Sequence, residues 1–253
     1  MYRRMSTNVI PLKLPQIKKL PENVIIVDSP SKKLQTEDLG KKTEMGICLL
    51  YDIPFEGKYK YSIEDAEKLK KRLEPFKEHF PYKLKHTAKN GNQYDFTCVS
   101  DESIKLSAKT TKKDGKVCPQ VIGQPSKKKF CKFFNIDETS TIDQIKEYIT
   151  KNIHNMLNIY FQYTFDCPII YYNQNTNALK FIELTKSAIW SDYVIEFSHI
   201  KKNKKWNESS TIYINNNTIG EFQVHNHRDC IKFRWCFEIL LKQFGELFIV
   251  IEL

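Results

Sequence analysis

Residues 94–109 read YDFTCVSDESIKLSAK, and apolar and polar side chains alternate in two runs within this stretch. Alternation at a period of two predicts β-strands at 94–99 and 104–109, with residues 101–103 as the hairpin loop. That loop pairs Val99 with Lys105 and Asp95 with Lys109. One face of the hairpin is then polar and the other faces a core. The polar face carries Asp95, Thr97, Ser107 and Lys109, and the core face carries Tyr94, Phe96, Cys98, Leu106 and Ala108.

A carboxylate opposite an ammonium group on this polar face suits phosphodiester hydrolysis. Asp95 would hold a divalent metal that polarises a phosphate and acidifies a water. Lys109 would stabilise hydroxide or the negative charge of the transition state. The spacing also allows an ordinary cross-strand ion pair on a solvated sheet face, and residue spacing alone does not separate the two.

Asp95 followed by Ser107-Ala108-Lys109 resembles the acid–spacer–acid-x-lysine centre of the PD-(D/E)xK nucleases. Longer stretches resemble type II restriction endonucleases of that superfamily, and they spread over residues 44 to 237. These stretches are 44–48 (EMGIC), 103–110 (SIKLSAKT), 116–126 (KVCPQVIGQPS) and 220–225 (GEFQVH) with Arg234-Trp235.

This resemblance implies that Asp95 is the central metal ligand and that Lys109 is the catalytic lysine. It also implies that Glu44, on the first helix, approaches the same Mg²⁺, and that the Ala108 main-chain carbonyl completes the inner ligands. Ser107 departs from the family pattern, which usually has Asp or Glu two places before the lysine. Either Glu44 supplies the second carboxylate, or a single metal binds through water. Some restriction enzymes carry a neutral residue here, so Ser107 is retained as a candidate catalytic position.

The charge of the chain favours partners that carry phosphate. Forty Lys and Arg stand against 30 Asp and Glu, a formal net charge of +10, and such an excess attracts nucleic acid. Two groups of polar residues are candidate DNA contacts, because Lys holds phosphates and Gln, Asn and Arg can read base edges. The groups are Lys112, Lys113, Gln120, Gln124, Lys127 and Lys128, and then Gln223, His225, Asn226, His227 and Arg228. A solvated basic loop and a polar sheet face with a helix cap are the alternatives.

The cysteines predict a reducing compartment. Seven cysteines, most of them in apolar runs, are typical of free thiols. With neither a secretory signal nor a membrane-spanning run in the sequence, we expect a cytoplasmic protein without membrane contact. The spacing from His225 and His227 to Cys230 and Cys236 is a poor match to zinc motifs, and Cys236 is predicted to be a core residue.

The predicted fold class is α/β (α+β). We expect a restriction-endonuclease-like core, with a central mixed β-sheet flanked by helices, and a β-rich C-terminal recognition region. The expected divisions are a basic arm at 1–35, a nuclease core at 36–165 and a recognition part at 166–253. Helices are predicted from Thr36 until Pro54 ends the first, at 62–78, at 142–163 and at 229–243, with a loop continuing through Lys129. Further strands are predicted at 168–172, 179–184, 193–197, 211–214 and 219–224, with an apolar tail at 247–251.

The resemblance implies a Mg²⁺-dependent type II restriction enzyme that cuts double-stranded DNA at a short palindromic site. It also implies a homodimer and a cognate methyltransferase that protects host DNA without forming a stable complex. Two alternatives remain open: a structure-specific repair or recombination nuclease of the same fold, and a DNA-binding protein without catalytic activity.

Overall fold

The computed structural model describes residues 36–88, 92–113, 115–118 and 126–253. The helices are α1 (Thr36–Tyr51), α2 (Ile63–Leu73), α3 (Phe76–His79), α4 (Lys127–Phe134), α5 (Ile142–Lys151), α6 (Ile153–Phe165), α7 (Ser198–Lys201) and α8 (Phe237–Gln243). The strands are β1 (Leu84–His86), β2 (Phe96–Cys98), β3 (Lys105–Thr111), β4 (Lys116–Val117), β5 (Ile169–Asn173), β6 (Ala178–Leu184), β7 (Ile195–Phe197), β8 (Ser209–Ile214), β9 (Asn217–Val224), β10 (Ile231–Cys236) and β11 (Phe248–Glu252). Two short 3₁₀ turns complete the assignment, at Trp190–Asp192 and Gly245–Leu247.

Within these residues the strands form two sheets. The first has the order β1-β2-β3-β5-β6-β11 and is mixed, because β3 and β5 are parallel while the other neighbours are antiparallel. The second is antiparallel throughout, in the order β4-β10-β9-β8-β7. The predicted mixed sheet flanked by helices is therefore confirmed. Strands β5, β6 and β11 join the first sheet from beyond residue 165, and the division of the chain there stays a prediction.

A hydrophobic core covers each face of the first sheet. Leu106, Ile170 and Phe181 on one face pack in a cluster with residues of α1, α2 and α3. Ile169, Tyr171 and Ile182 alternate with them along the strands and join a second cluster with α6, α8 and the second sheet. Because β5 is buried on both faces, its sequence is a continuous apolar run rather than an alternation of apolar and polar residues.

Helix α1 agrees with its prediction. It begins at Thr36 and ends at Tyr51, and the predicted stripe of Leu39, Ile47 and Leu50 is buried. Gly46 lets α2 approach closely, since a Cβ atom there would lie 3.1 Å from Leu69 Cβ and 3.2 Å from the Ala66 carbonyl oxygen. The packing of α1 on the sheet brings Glu44 towards the strands.

Two of the predicted helices are each divided in two. The helix that starts at Ser62, whose hydroxyl accepts the Asp65 N–H at 3.2 Å, ends at Leu73 rather than Glu78. Pro75 interrupts it because proline has no N–H for the helical ladder. The helix predicted at 142–163 breaks at Asn152, whose side-chain amide and backbone N–H both donate to the Tyr148 carbonyl. That local bond competes with the continuation of the helix.

Two further predictions near the second sheet were wrong. The loop predicted through Lys129 gives way at Lys127 to helix α4 (Lys127–Phe134), with Ser126 Oγ capping the Lys129 N–H at 3.2 Å. Residues 231–236 form strand β10, and only Phe237–Gln243 of the predicted 229–243 helix is helical. Ile231, Phe233 and Trp235 are buried and alternate with partly exposed Lys232 and Arg234, which is a strand pattern. Residues 225–230 therefore connect two antiparallel strands.

No helix in the described part of the chain combines the length and the apolar character that crossing a membrane requires.

Gly220 on β9 offers a test of the packing in the second sheet. A Cβ atom there would lie 2.7 Å from Phe233 Cζ and 3.0 Å from the Arg234 carbonyl oxygen. The Phe233 ring is fully buried and stacks on Tyr160 at 4.6 Å, so it has no free space to enter. We expect Gly220→Ala to reduce the free energy of unfolding by about 1–3 kcal/mol, the usual cost of overpacking. Urea denaturation measures it, with Gly245→Ala as the control, because a Cβ there meets nothing within 4 Å. Equal stability of the two variants would contradict this packing.

Candidate active site

The site lies at the start of β2, beside the neighbouring strand β3. The pairing of these two strands differs from the prediction. Phe96 pairs with Leu106 and Thr97 with Lys105, so the register is displaced by two residues from the expected 95–109 pairing. The loop is longer than predicted because the Val99 N–H donates to the Lys83 carbonyl at 2.8 Å instead of joining the hairpin. A displacement of two keeps every side chain on its predicted face, whereas a displacement of one would reverse the faces.

Asp95 reaches Lys109 through a departure from the β-ladder. Continued regularly, the observed register would direct the Ala108 N–H to the Tyr94 carbonyl. The Tyr94 carbonyl instead accepts the Thr87 hydroxyl at 3.2 Å, and Asp95 Oδ2 accepts the Ala108 N–H at 2.8 Å. This places Asp95 Oδ2 4.0 Å from Lys109 Nζ. The structure thus brings the two predicted side chains together, but by a side-chain bond rather than by direct cross-strand pairing.

The faces of the hairpin agree with the sequence except at Tyr94. Phe96, Cys98 and Leu106 are buried in the core beneath α1, and Ala108 packs against it. Tyr94 turns away from that core, and its hydroxyl donates to Asp166 Oδ2. Lys105 lies over its ring, with Nζ 4.1 Å from the centroid. Tyr94 is therefore a polar contact beside the site and not a core residue.

The surroundings of Asp95 oppose its ionisation. Burial raises the pKa of this carboxyl above its ordinary value, and the positive charge of Lys109 only partly offsets that effect. The negative charge of Glu44 raises the pKa further, while the Ala108 N–H and Lys41 lower it. The net direction is upward, so the protein holds a carboxylate at a free-energy cost that a bound cation would relieve.

Glu44 is a buried carboxylate with two partners on its Oε2 atom. Lys41 Nζ lies 2.8 Å from it and His86 Nε2 lies 3.1 Å from it. The other ring nitrogen of His86, Nδ1, accepts the Glu56 N–H at 2.8 Å. That bond assigns the proton to Nε2, so His86 donates to Glu44. Helix α1 and strand β1 together fix the position of this second acid.

Sequence reasoning missed His86 and Lys41. The signal for Lys41 was its position three residues before Glu44 on the same helix, where the two side chains are neighbours. The signal for His86 was weaker, since a histidine after a short strand has many possible roles. Its contact with Glu44 joins residues 42 positions apart, which no local pattern predicts.

Ser107 is fully buried and its side chain is directed to Cys167. Burial raises the pKa of the Cys167 thiol to about 12, and its hydrogen bond with Ser107 acts in the opposite direction. The Ser107 N–H donates to the Pro168 carbonyl at 3.0 Å. Ala108 adjoins the site through its N–H bond to Asp95, and metal binding by its carbonyl stays a prediction.

The predicted DNA-binding residues lie in two places. Lys112 and Lys113 directly follow β3, and Lys127 and Lys128 begin α4, with Lys128 Nζ 3.4 Å from Glu138. Gln120 and Gln124 lie outside the described residues. The remaining candidates belong to the second sheet: Gln223, His225, Asn226, His227 and Arg228.

The second group was predicted at a strand-to-helix junction, and the β9–β10 loop replaces that junction. Asn226, His227 and Arg228 are exposed there. Gln223 is already engaged, because its amide donates to Glu221 Oε1 at 3.0 Å. Cys236 is a core residue, as the sequence predicts.

The pKa of Asp95 yields a test on the metal-free protein. A carboxyl whose pKa is higher in the folded than in the unfolded chain destabilises the fold above its ordinary pKa, and this penalty disappears when both states are protonated. In EDTA at pH 7 we therefore expect Asp95→Asn to raise the melting temperature; each 1 kcal/mol of stability regained corresponds to about 2–4 °C in a chain of this size. The gain should shrink as the pH falls through the raised pKa of the folded state, and it should be absent below about 4, where the carboxyl is protonated in the unfolded chain as well. An equal gain at both pH values, or a loss at pH 7, would contradict the assignment.

Comparison with known proteins shows one extended similarity. Over 216 residues, 85% of this chain, the sequence is 49% identical to the type II restriction enzyme CviAII of Paramecium bursaria Chlorella virus 1. The matched part covers 62% of that protein, so the chain spans less than two thirds of its relative's length. No family model matches the sequence, and no solved structure matches it. The chain is thus similar over most of its length to an enzyme named for type II restriction.

Proposed function

We propose that this chain is a type II restriction enzyme, a site-specific deoxyribonuclease that hydrolyses phosphodiester bonds of double-stranded DNA with Mg²⁺. The observation that carries the proposal is the partly buried Asp95 carboxylate, whose side chain is 19% exposed, 4.0 Å from the Lys109 ammonium and influenced by the charge of Glu44. The similarity to a named restriction enzyme over 85% of the chain supports it. We further propose that the first sheet with its helices is a PD-(D/E)xK nuclease core.

The residues present fit a Mg²⁺ site. Asp95 and Glu44 offer carboxylate oxygens, which Mg²⁺ prefers, and the raised pKa of Asp95 supports a cation at this position. Asp95, Glu44 and the Ala108 carbonyl would hold the ion. When bound, Mg²⁺ polarises a phosphate oxygen and lowers the pKa of a water. Lys41 and His86 act as positioning residues, because both hold Glu44 by its Oε2 atom.

Lys109 supplies positive charge where the reaction develops negative charge. Its side chain is only 13% exposed, so water screens its ammonium group less than on an open surface. A charge held in this way stabilises a hydroxide or the transition-state phosphate more than the ground state. Asp95 keeps the ammonium group beside the metal-binding oxygens.

Glu44 replaces the acidic residue that the nuclease family usually carries at the position of Ser107. Ser107 is fully buried and forms a hydrogen bond with Cys167, so an ionised side chain at this position would meet a thiol instead of solvent. Glu44 is 42 residues before its partner His86 in the chain and acts on Asp95 electrostatically. We propose that these two acids, from a helix and a strand start, form the carboxylate pair.

DNA binding involves both sheets in this proposal. Lys112, Lys113, Lys127 and Lys128 hold phosphates. Gln223, His225, Asn226, His227 and Arg228 form a base-reading edge, with Gln120 and Gln124 from residues outside the described part. A palindromic site matches a homodimer, since two-fold symmetry relates both strands. A methyltransferase with the same specificity would protect host DNA.

The first test removes the two groups of the candidate site. We expect Asp95→Ala and Lys109→Ala each to reduce plasmid cleavage in Mg²⁺ by at least about 10²–10³-fold, the usual effect of losing a group that stabilises transition-state charge. DNA binding, measured by gel shift in Ca²⁺, should change little. Lys202→Ala is the control. This exposed lysine directly follows α7, and the variant should cut normally.

The cleavage pattern separates the alternatives. Discrete fragments from linear duplex DNA support a sequence-specific enzyme, whereas cutting confined to branched or single-stranded DNA indicates a repair or recombination nuclease. Binding without cleavage in either Mg²⁺ or Mn²⁺ indicates a non-catalytic DNA-binding protein. Undiminished cutting by either alanine variant would reject the proposed site.

The second test asks which residue supplies the second acid. We expect Glu44→Gln to lower cleavage by more than the roughly 10–100-fold that loss of an outer-shell partner causes, and to raise the Mg²⁺ concentration needed. Ser107→Ala removes a hydroxyl that contacts Cys167 and should retain most of the activity. Measuring rates against Mg²⁺ concentration distinguishes them. The opposite order, with Ser107→Ala inactive and Glu44→Gln active, would show that Ser107 belongs to the metal site.

A further inference from the structure

Three potential metal ligands converge at one end of the second sheet. His225 Nδ1 lies 3.3 Å from Glu208 Oε2, and His227 Nδ1 lies 3.6 Å from Glu208 Oε1. One ligand atom from each residue lies within 4.8 Å of the other two. The two histidines belong to the β9–β10 loop, and Glu208 directly precedes β8. The nuclease centre, in contrast, lies on the first sheet.

The backbone holds this cluster together. The Glu208 carbonyl accepts the Val224 N–H at 2.7 Å, which places the acid beside His225, the next residue along the chain. His225 and His227 are two residues apart, and their rings meet edge to face with centroids 5.3 Å apart. The convergence therefore follows from strand pairing and from the turn, not from chance contact of long side chains.

His225 Nδ1 is the clearest sign of a ligand. This atom is shielded from solvent and has no hydrogen-bond partner within the described residues. It lies 3.3 Å from Glu208 Oε2, which is within hydrogen-bonding distance, but the two atoms do not form a hydrogen bond. A buried polar atom without a partner is uncommon and calls for an explanation. Two ligand atoms side by side without a bond between them are what a shared cation requires.

The distances and the donor types fit zinc. Bonds of about 2.0–2.1 Å in a tetrahedral site put neighbouring ligand atoms about 3.3 Å apart. His225 Nδ1 lies at that distance from Glu208 Oε2, while His227 Nδ1 lies 3.6 Å from the other carboxylate oxygen, Oε1. One atom from each of the three residues lies within 4.8 Å of the others, so small side-chain rotations would close the site around the ion. Imidazole nitrogens suit zinc and related transition metals, whereas Mg²⁺ prefers an oxygen environment. This cluster would thus select a different metal from the one at Asp95.

We propose that Glu208, His225 and His227 form a zinc site with a water in the fourth position, on the exposed side where His227 reaches solvent. The site fixes the β9–β10 loop. It also takes His225 and His227 out of the proposed base-reading edge, and leaves Asn226 and Arg228, both exposed, as the residues of this loop that could contact bases. The Asp229 carbonyl of this loop accepts the Lys127 N–H at 2.7 Å, so zinc would also steady the start of α4. This proposal goes beyond the nuclease function and stands whether or not the chain cuts DNA.

The test measures zinc binding by the full chain, purified free of metal and kept in excess Mg²⁺. Competition with a chromophoric chelator should show one Zn²⁺ per chain, and Zn²⁺ should raise the melting temperature. His227→Ala and Glu208→Gln should weaken binding by more than the roughly 10–100-fold that loss of an outer-shell partner causes. His154→Ala is the matched control, because this exposed histidine contacts the Tyr193 carbonyl elsewhere.

Two further comparisons make the outcome decisive. Asp95→Asn should bind Zn²⁺ like the wild type, because its carboxylate belongs to the other site. His227 is 61% exposed, so its replacement leaves the core intact, and an unchanged melting temperature without metal verifies this. Absence of Zn²⁺ binding by the wild type would overturn the site and leave a Glu208–histidine ion pair. Equal affinity of His227→Ala and His154→Ala, or loss of the Zn²⁺ with Asp95→Asn, would overturn it as well.

Discussion

The hydrogen bond from the Ala108 N–H to the Asp95 carboxylate is the contact on which the candidate centre depends. It replaces a main-chain bond at the point where β2 leaves β3, and it turns an aspartate at a strand end towards the lysine on the neighbouring strand. The same contact gives a hydrogen-bond donor to a partly buried carboxylate whose ionisation the surroundings oppose. A charge-assisted bond of this kind is stronger than a neutral one. The Ala108 backbone N–H and the Asp95 side chain together thus fix the position of one carboxylate.

Glu44 reaches the same region by a longer route. The Glu56 N–H fixes the tautomer of His86, and His86 in turn donates to Glu44. Each link is a buried or partly buried hydrogen bond, and such chains specify one arrangement because an unsatisfied member is costly. The second acid therefore depends on a loop and on β1 as much as on its own helix.

Local patterns predicted the parts of the fold that local physics controls. The α1 stripe, the Ser62 cap and the faces of the β2–β3 hairpin followed from periodicity and capping. The breaks at Pro75 and Asn152 carried signals too, but the apolar stripes running through them outweighed those signals. Strand β10 was mistaken for helix because Ile231, Phe233 and Trp235 continue directly into the apolar helix α8, and only pairing with β9 separates the two.

The candidate site was predictable in its members and not in its geometry. Asp95, Lys109 and Glu44 could be named because their motif resembles a known family. The register of the β2–β3 hairpin could not be predicted, since the Val99–Lys83 bond that lengthens its loop joins segments 16 residues apart in sequence. His86 and the Glu208 cluster depend likewise on contacts between distant segments.

The aromatic core between the sheets has a mechanical consequence. Phe161 of α6 contacts Trp235 in the second sheet and Phe248 in the first, with ring centroids 6.1 and 5.9 Å apart. Interiors packed in this way transmit displacement rather than absorb it. The ring contacts of Phe161 therefore couple the two sheets, and a displacement of the segment proposed to read a duplex would be passed on to the segment proposed to cut it. In a protein built this way, strain imposed by bound DNA at one sheet is felt at the other.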